Sequence, residues 1–290
     1  MALRIDQALA RAEELRALSD SPELDVQLLL GSVLDKPRSY LYTWPERTLD
    51  TEQFDRFDVM FERRRNGEPV AHILGTRDFW TLTLEVDATT LIPRPETELL
   101  VELALDTLDA TPKRVADLGT GTGAVALALA SERPSWAISA VEFSNAAAQL
   151  AERNRKRLSI TNVEVLLGSW CEPLVGEFDL IVSNPPYIDP ADPHLQQGDV
   201  RFEPASALVA ENQGLADIQV IANQVYQRLK PSGGLMLEHG YDQAEAVRQI
   251  LSAAGFRSVN TYKDLNQQDR VTVGYVDKDQ LGMRRSRDDE

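Results

Sequence analysis

Two short stretches carry residue types and spacing suited to chemistry. The first is Asn184-Pro185-Pro186-Tyr187, which ends the apolar run "FDLIVS". A β-ladder cannot pass through two prolines, since each lacks the N–H that pairing requires. The prolines also fix φ and remove competing donors, so the corner is stiff before anything binds to it. The Asn184 side-chain oxygen and the Pro185 carbonyl are two acceptors such a corner could aim at the two N–H bonds of a planar –NH2 group. Tyr187 adds a ring to pack over that plane. A planar amide or aromatic amine has a delocalised lone pair and is a poor nucleophile. Acceptors that hold its N–H bonds favour the pyramidal, charge-developing form. No metal is needed for this, and His72, His194 and His239 are scattered with no metal-ligand spacing.

The second stretch is Gly119-Thr120-Gly121-Thr122-Gly123, between the strand-like "RVADL" and the helix-like "AVALALASER". Alternate glycines let a backbone turn sharply and approach a ligand closely. The spacing is not that of the dinucleotide fingerprint. Asp117, just before the loop, would repel a pyrophosphate and suit a ligand with an ammonium group. The sum favours S-adenosylmethionine over a nicotinamide cofactor. Glu142 ends the next strand, about 20 residues on, where an acid accepts the ribose hydroxyls of such a ligand. Trp170, after the third strand, falls where its adenine would lie.

The elements that must position these residues follow from periodicity. From residue 114 the chain alternates short apolar strands with helices and closes on two strands near enough to form a hairpin, "RSVNTYKDL" and "DRVTVGYV". That is the pattern of an α/β fold with a mostly parallel seven-stranded sheet covered on both faces, one strand being antiparallel. Residues 1–75 read as a small helical domain for substrate recognition, with no catalytic cluster. Residues 76–92, rich in aromatic and β-branched types, read as a β-hairpin linker, and 93–277 as the catalytic domain. Residues 278–290 are polar and read as a disordered tail.

The chain has 290 residues, 43% hydrophobic and 26% charged, as expected of a globular protein. It has no apolar run of membrane-spanning length and no secretory signal pattern at its start, and Cys171 is its one cysteine. These features point to the cytoplasm. The formal net charge of −16 argues against direct nucleic-acid binding, and the basic runs "ERRR" and "RNRKR" read as solvated helix faces.

"LIPRPETE", "DLGTGTGAVALALA", "SNPPYI" and "HLQQGDVRFEP" together resemble the bacterial protein-(glutamine-N5) methyltransferases of peptide chain release factors, the PrmC/HemK family. The resemblance spans nearly the whole chain. It implies a Rossmann-like class I fold dependent on S-adenosylmethionine. The methyl acceptor would be the glutamine side-chain amide in the Gly-Gly-Gln motif of class I release factors. The cofactor would be contacted by Gly119, Thr120, Gly121, Thr122, Gly123, Glu142, Trp170 and Asn184, and the glutamine held by Asn184, Pro185, Pro186 and Tyr187. One departure is Glu142, where the family more often has Asp; another limit is that Arg94, Glu96 and Glu98 match the family motif without an evident role. The Asn-Pro-Pro-Tyr corner alone is shared with adenine-N6 DNA and guanine-N2 ribosomal-RNA methyltransferases, so a nucleic-acid amino methyltransferase is the alternative reading. A non-catalytic module that binds the cofactor or a protein is a third.

Overall fold

The computed structural model describes residues 3–277, and the tail expected at 278–290 lies outside them. By compactness the chain divides into two units, neither contiguous in sequence. One comprises the described residues up to Arg77, with Val86–Ala88 and Pro193–Glu203; the other comprises Asp78–Glu85, Thr89–Asp192 and the described residues from Pro204.

The first unit is helical: α1 (Ile5–Ala10), continued by a 3₁₀ turn over Arg11–Leu15, then α2 (Pro22–Leu34), α3 (Arg38–Thr43), α4 (Thr51–Arg65) and α5 (Val70–Leu74). Pro22 opens α2 at the first helical position, where its missing N–H costs nothing. Asp50 starts α4 with a reciprocal cap: its carboxylate accepts from the Gln53 N–H at 2.8 Å, and the Gln53 side-chain oxygen accepts from the Asp50 N–H at 3.1 Å. Ile5, Leu15, Leu29, Leu30, Phe57 and Phe61 form its core.

The "ERRR" run is not a free basic face. Arg64 is buried and donates to Asp25 at 2.7 Å and to Asp199 at 2.8 Å. Arg63 pairs with Glu68, and Arg65 with Glu62. The Arg64–Asp199 pair ties Pro193–Glu203 into the helical unit, 135 residues away in sequence.

The hairpin strands are β1 (Thr76–Phe79) and β2 (Leu82–Glu85). Residues 86–92, placed within the hairpin by their β-branched content, form no strand. A 3₁₀ turn over Pro95–Thr97 leads into α6 (Glu98–Thr107). The alternation follows: β3 (Arg114–Leu118), α7 (Ala124–Glu132), β4 (Ala137–Glu142), α8 (Asn145–Arg157), β5 (Val163–Leu167) and β6 (Phe178–Ser183). After three 3₁₀ turns and the short kinked turn α9 (Glu211–Gly214) come α10 (Ala216–Val225), β7 (Leu229–Glu238), α11 (Ala244–Ala253), β8 (Arg257–Lys263) and β9 (Asp269–Tyr275).

The seven-stranded sheet has the order β5-β4-β3-β6-β7-β9-β8. β9 alone runs antiparallel to its neighbours. β7 begins earlier than the apolar run "LMLE" alone would place it: "LKPSGG" already belongs to the strand, with a register irregularity before Gly234. Alternate residues of each strand face opposite ways. Val115, Leu180, Val182 and Met236 pack with α6 and α7, whereas Ala116, Leu118, Ile181, Leu235 and Leu237 pack with α10 and α11. Both faces are thereby covered, and the strand ends of β3, β4 and β6 are left to carry the site.

Candidate active site

The glycine loop links β3 to α7. Gly119, Gly121 and Gly123 all have positive φ, 72°, 55° and 85°, which any side chain would strain. The Gly119 and Thr120 N–H groups both donate to the Val141 carbonyl, at 2.9 and 3.0 Å. The loop is thus pinned to the end of β4. Glu142 completes the pin: its Oε2 accepts from the Gly121 N–H and its Oε1 from the Ser144 N–H, each at 2.9 Å. A side chain one methylene longer than Asp reaches back to the loop in this way.

Asp117 is buried beneath the loop. One of its carboxylate oxygens accepts from the Thr120 hydroxyl at 2.6 Å and from the Ala126 N–H at 3.2 Å. Burial pushes its pKa up to about 6 against those hydrogen bonds, and the nearby Glu142 charge adds to the rise.

Asn154 was hidden in the "RNRKR" run. It is fully buried and takes up the apolar face of α8 with Ala147, Leu150 and Ala151. Its amide donates to the Glu85 and Thr122 carbonyls, both at 3.0 Å, and its oxygen accepts from the Glu85 N–H at 2.7 Å. One side chain therefore fastens both β2 and the glycine loop to α8. Its spacing of three and seven residues from Ala151 and Ala147 is the signal that could have separated it from the solvated face.

The loop borders a cavity of about 350 Å³, within the range of small-molecule sites. Gly119, Thr120, Gly121, Thr122, Glu142 and Trp170 line it, as do Asn184 and Pro186. Gly123 does not; it sits behind, where a Cβ would meet Leu127 at 3.0 Å. The Trp170 ring lies against Gly119, where a Cβ would already touch it at 3.4 Å. Phe143, 78% exposed, stands on the cavity wall beside Glu142, and Thr90 contributes a buried hydroxyl with no hydrogen-bond partner. An orphaned hydroxyl, an exposed ring, an acid at a strand end and a close-approach glycine are what a ligand with polar ends and a flat base would satisfy. The residues fit S-adenosylmethionine.

The corner lies at the opposite wall. Ser183, the last residue of β6, donates from its hydroxyl to the Leu118 carbonyl at 2.7 Å, locking the ends of β6 and β3 together. The Asn184 amide donates to the Thr97 hydroxyl oxygen at 3.1 Å. Pro185 is buried, and neither it nor Tyr187 lines the cavity. The Tyr187 hydroxyl donates to Glu238 Oε1 at 3.4 Å, and its carbonyl accepts from the Gln243 amide at 2.9 Å. Burial and the Glu238 charge raise the Tyr187 pKa, so the phenol keeps its proton. Gly214 makes room for that carbonyl: a Cβ there would fall 2.0 Å from it. Ile188 then pairs with the segment at Leu208–Ala210, which fixes the chain leaving the corner.

"PRPETE" gains roles here. Arg94 lines the cavity, Thr97 receives Asn184, and Glu98 accepts from the Trp80 N–H at 2.7 Å, holding the hairpin. His239 is a satisfied core residue, with ring nitrogens 2.8 Å from the Gly240 carbonyl and from the Thr272 hydroxyl.

Residues 7–75 match the PrmC N-terminal domain, and residues 96–239 the methyltransferase small domain. The release factor glutamine methyltransferase of Pseudomonas aeruginosa is 57% identical over 89% of this chain and 94% of its own. That of Aliivibrio fischeri is 50% identical over 94% of this chain and 98% of its own, and that of Escherichia coli 51% identical over 88% and 93%. The chain belongs to the release factor glutamine methyltransferase family. Among solved structures this methyltransferase shares its fold with a methyltransferase from Pyrococcus furiosus (TM-score 0.54, 17% identity, 76% of this chain and 99% of that one). It shares it also with the 16S rRNA N2 G1207 methyltransferase of Thermus thermophilus (TM-score 0.50, 20% identity, 69% and 49%). At such identities the likeness concerns the sheet and its helices. Among the described residues of this methyltransferase no helix is long and apolar enough to cross a membrane.

Proposed function

We propose that the protein transfers a methyl group from S-adenosylmethionine to the side-chain amide N5 of the glutamine in the Gly-Gly-Gln motif of class I peptide chain release factors, in the cytoplasm. The observation that carries the reading is the single cavity with a glycine loop and Glu142 on one wall and Asn184 and Pro186 on the other. Membership of the family supports the choice of glutamine over a base.

In this reading the bound S-adenosylmethionine supplies a methyl group on a sulfonium centre. Glu142 keeps lone pairs for the ribose hydroxyls while its oxygens hold the Gly121 and Ser144 amides. Phe143 and Trp170 would flank the base, and the Asp117 carboxylate would face the ligand's positive charge. At the other wall the Asn184 oxygen, whose amide nitrogen is committed to Thr97, accepts one N–H of the substrate amide. The Pro185 carbonyl, although the residue itself does not line the cavity, is the second acceptor of this reading. With both N–H bonds held, the nitrogen lone pair is directed into the cavity. The methylated amide nitrogen sheds its extra proton to water, so no strong base is required. The helical unit holds the folded release factor. The basic runs are neutralised internally, Arg153 and Arg157 on Glu85, Arg155 and Lys156 on Glu152, which leaves little to grip phosphate.

The test offers release factor, DNA and ribosomal RNA in parallel with methyl-labelled cofactor, followed by mass spectrometry of the Gly-Gly-Gln peptide. Label on that glutamine alone is expected. Label on nucleic acid with an unmodified release factor overturns the reading.

A further inference from the structure

The glycine loop has few donors left for a ligand. Four of its five N–H groups are committed within the protein: Gly119 and Thr120 to the Val141 carbonyl, Gly121 to Glu142 Oε2, and Gly123 to the Thr120 carbonyl. The cavity is also acidic, with Asp117, Glu142 and Asp217 among its lining residues. Such a surface suits the ammonium and the ribose hydroxyls of S-adenosylmethionine and repels its carboxylate. That carboxylate needs donors from elsewhere on the wall.

Segment 89–97 supplies them. Thr90 stands over the middle of the loop: a Cβ added to Gly121 would lie 3.9 Å from the Thr90 Cβ. Trp170 covers Gly119 instead, at 3.4 Å, so Thr90 and the ring meet the loop at different glycines. Thr90 is 2% exposed, and its hydroxyl has no hydrogen-bond partner. Valine would fill the same volume without an unpaired buried oxygen, so packing does not account for the hydroxyl. Threonine turns about χ1 between rotamers that exchange its methyl and hydroxyl, which lets the oxygen swing to a ligand at small cost. Arg94, four residues on, is the one basic side chain among the described residues that line the cavity, so the positive charge of the wall also belongs to this segment.

We propose that Thr90 is a cofactor-binding residue whose hydroxyl donates to the carboxylate of S-adenosylmethionine, on the wall that carries Arg94. This rests on the reading that the cavity holds that cofactor. The loop side then takes the cation and the ribose, and segment 89–97 takes the anion. Thr97 of the same segment receives the Asn184 amide at 3.1 Å, so one stretch of chain registers the cofactor tail against the substrate corner.

The test is isothermal titration of the native protein, Thr90→Val and Thr90→Ser with three ligands. These are S-adenosylmethionine, its decarboxylated analogue, which keeps the ammonium, and methylthioadenosine, which lacks the amino-acid tail. Thr90→Val should weaken S-adenosylmethionine about 10- to 100-fold, the loss of one hydrogen bond to a charged group, and leave the two truncated ligands within about twofold. Thr90→Ser should bind S-adenosylmethionine within about threefold of native. A loss shared with the decarboxylated analogue would assign the hydroxyl to the ammonium or the ribose. Unchanged S-adenosylmethionine affinity in Thr90→Val would leave the hydroxyl without a ligand. Either result overturns the proposal while the function stands. If the native protein does not bind S-adenosylmethionine, the function itself fails. Melting of the ligand-free proteins is a second readout: Thr90→Val should melt at the native temperature or above, since it removes an unpaired buried hydroxyl. A fall of about 5 °C or more would show that the hydroxyl serves the fold, which also overturns the proposal.

Discussion

Asp117 gives the sharpest test of how the cavity treats charge. Its carboxyl is wholly buried, and burial lifts its pKa to about 6, roughly two units above an ordinary aspartate. The folded chain therefore holds this proton more tightly than the unfolded chain does. The resulting stability is fully present below the ordinary aspartate value and is lost as the pH rises through about 6. Two units correspond to ~3 kcal/mol at neutral pH, a cost that a cation placed against the carboxylate would offset in part. Cofactor affinity should then depend on the ionised form. At about pH 5 a group with this pKa is only about one-tenth ionised, so Kd should rise about tenfold between about pH 7.5 and about pH 5. Asp117→Asn removes the charge but keeps an oxygen for the Thr120 hydroxyl and the Ala126 N–H, so the loop stays in place. Its Kd should be weaker at neutral pH and nearly flat across the range. Isothermal titration with S-adenosylmethionine at several pH values measures both. A native Kd that does not move with pH, or an asparagine variant with the native slope, would refute the assignment.

Two further outcomes follow from buried polar groups. Asn154→Leu strands three backbone groups, the Glu85 N–H and the Glu85 and Thr122 carbonyls, at ~1–3 kcal/mol each before relaxation. Calorimetry should show Tm lowered by about 5 °C or more, and a smaller change would mean that solvent replaces those bonds. Arg64→Ala leaves Asp25 buried without its counter-charge, a loss of ~3–5 kcal/mol, and unties Asp199. Limited proteolysis should then cut first within 193–203, and cleavage at the native rate there would show that other contacts hold the segment.

Local rules carried much of this architecture. The strand–helix alternation, the glycine turn and the closing hairpin are each written in a window shorter than about 15 residues, and each governs the element that contains it. The sheet order and the antiparallel β9 follow from them with few alternatives. The glycine loop and Glu142 were legible for the same reason: a strand end, a turn and a fixed interval define their place. Thr97, Glu238 and Asn154 were not. Each is an ordinary residue in its own window and is placed by partners tens of positions away, as with Asn154 and Glu85, Thr97 and Asn184, or Glu238 and Tyr187. The "ERRR" run misled in the same manner, because charge pattern reports what a helix face carries but not which arginine turns inward to Asp25. "LKPSGG" misled differently: proline and glycine usually end elements, and here they sit where β7 is irregular at its start.

The interleaving of the two units has a practical side. The polypeptide passes from one to the other after Arg77, Glu85, Ala88, Asp192 and Glu203. A gene cut near codon 76, where the family domains would suggest a seam, yields a front fragment lacking the fourteen amino acids at 86–88 and 193–203 that complete it and a rear fragment carrying them as surplus. Such pieces are poor modules for grafting or swapping. Engineering of this scaffold is better served by exchanging the 193–203 loop together with the front portion, as one transplant.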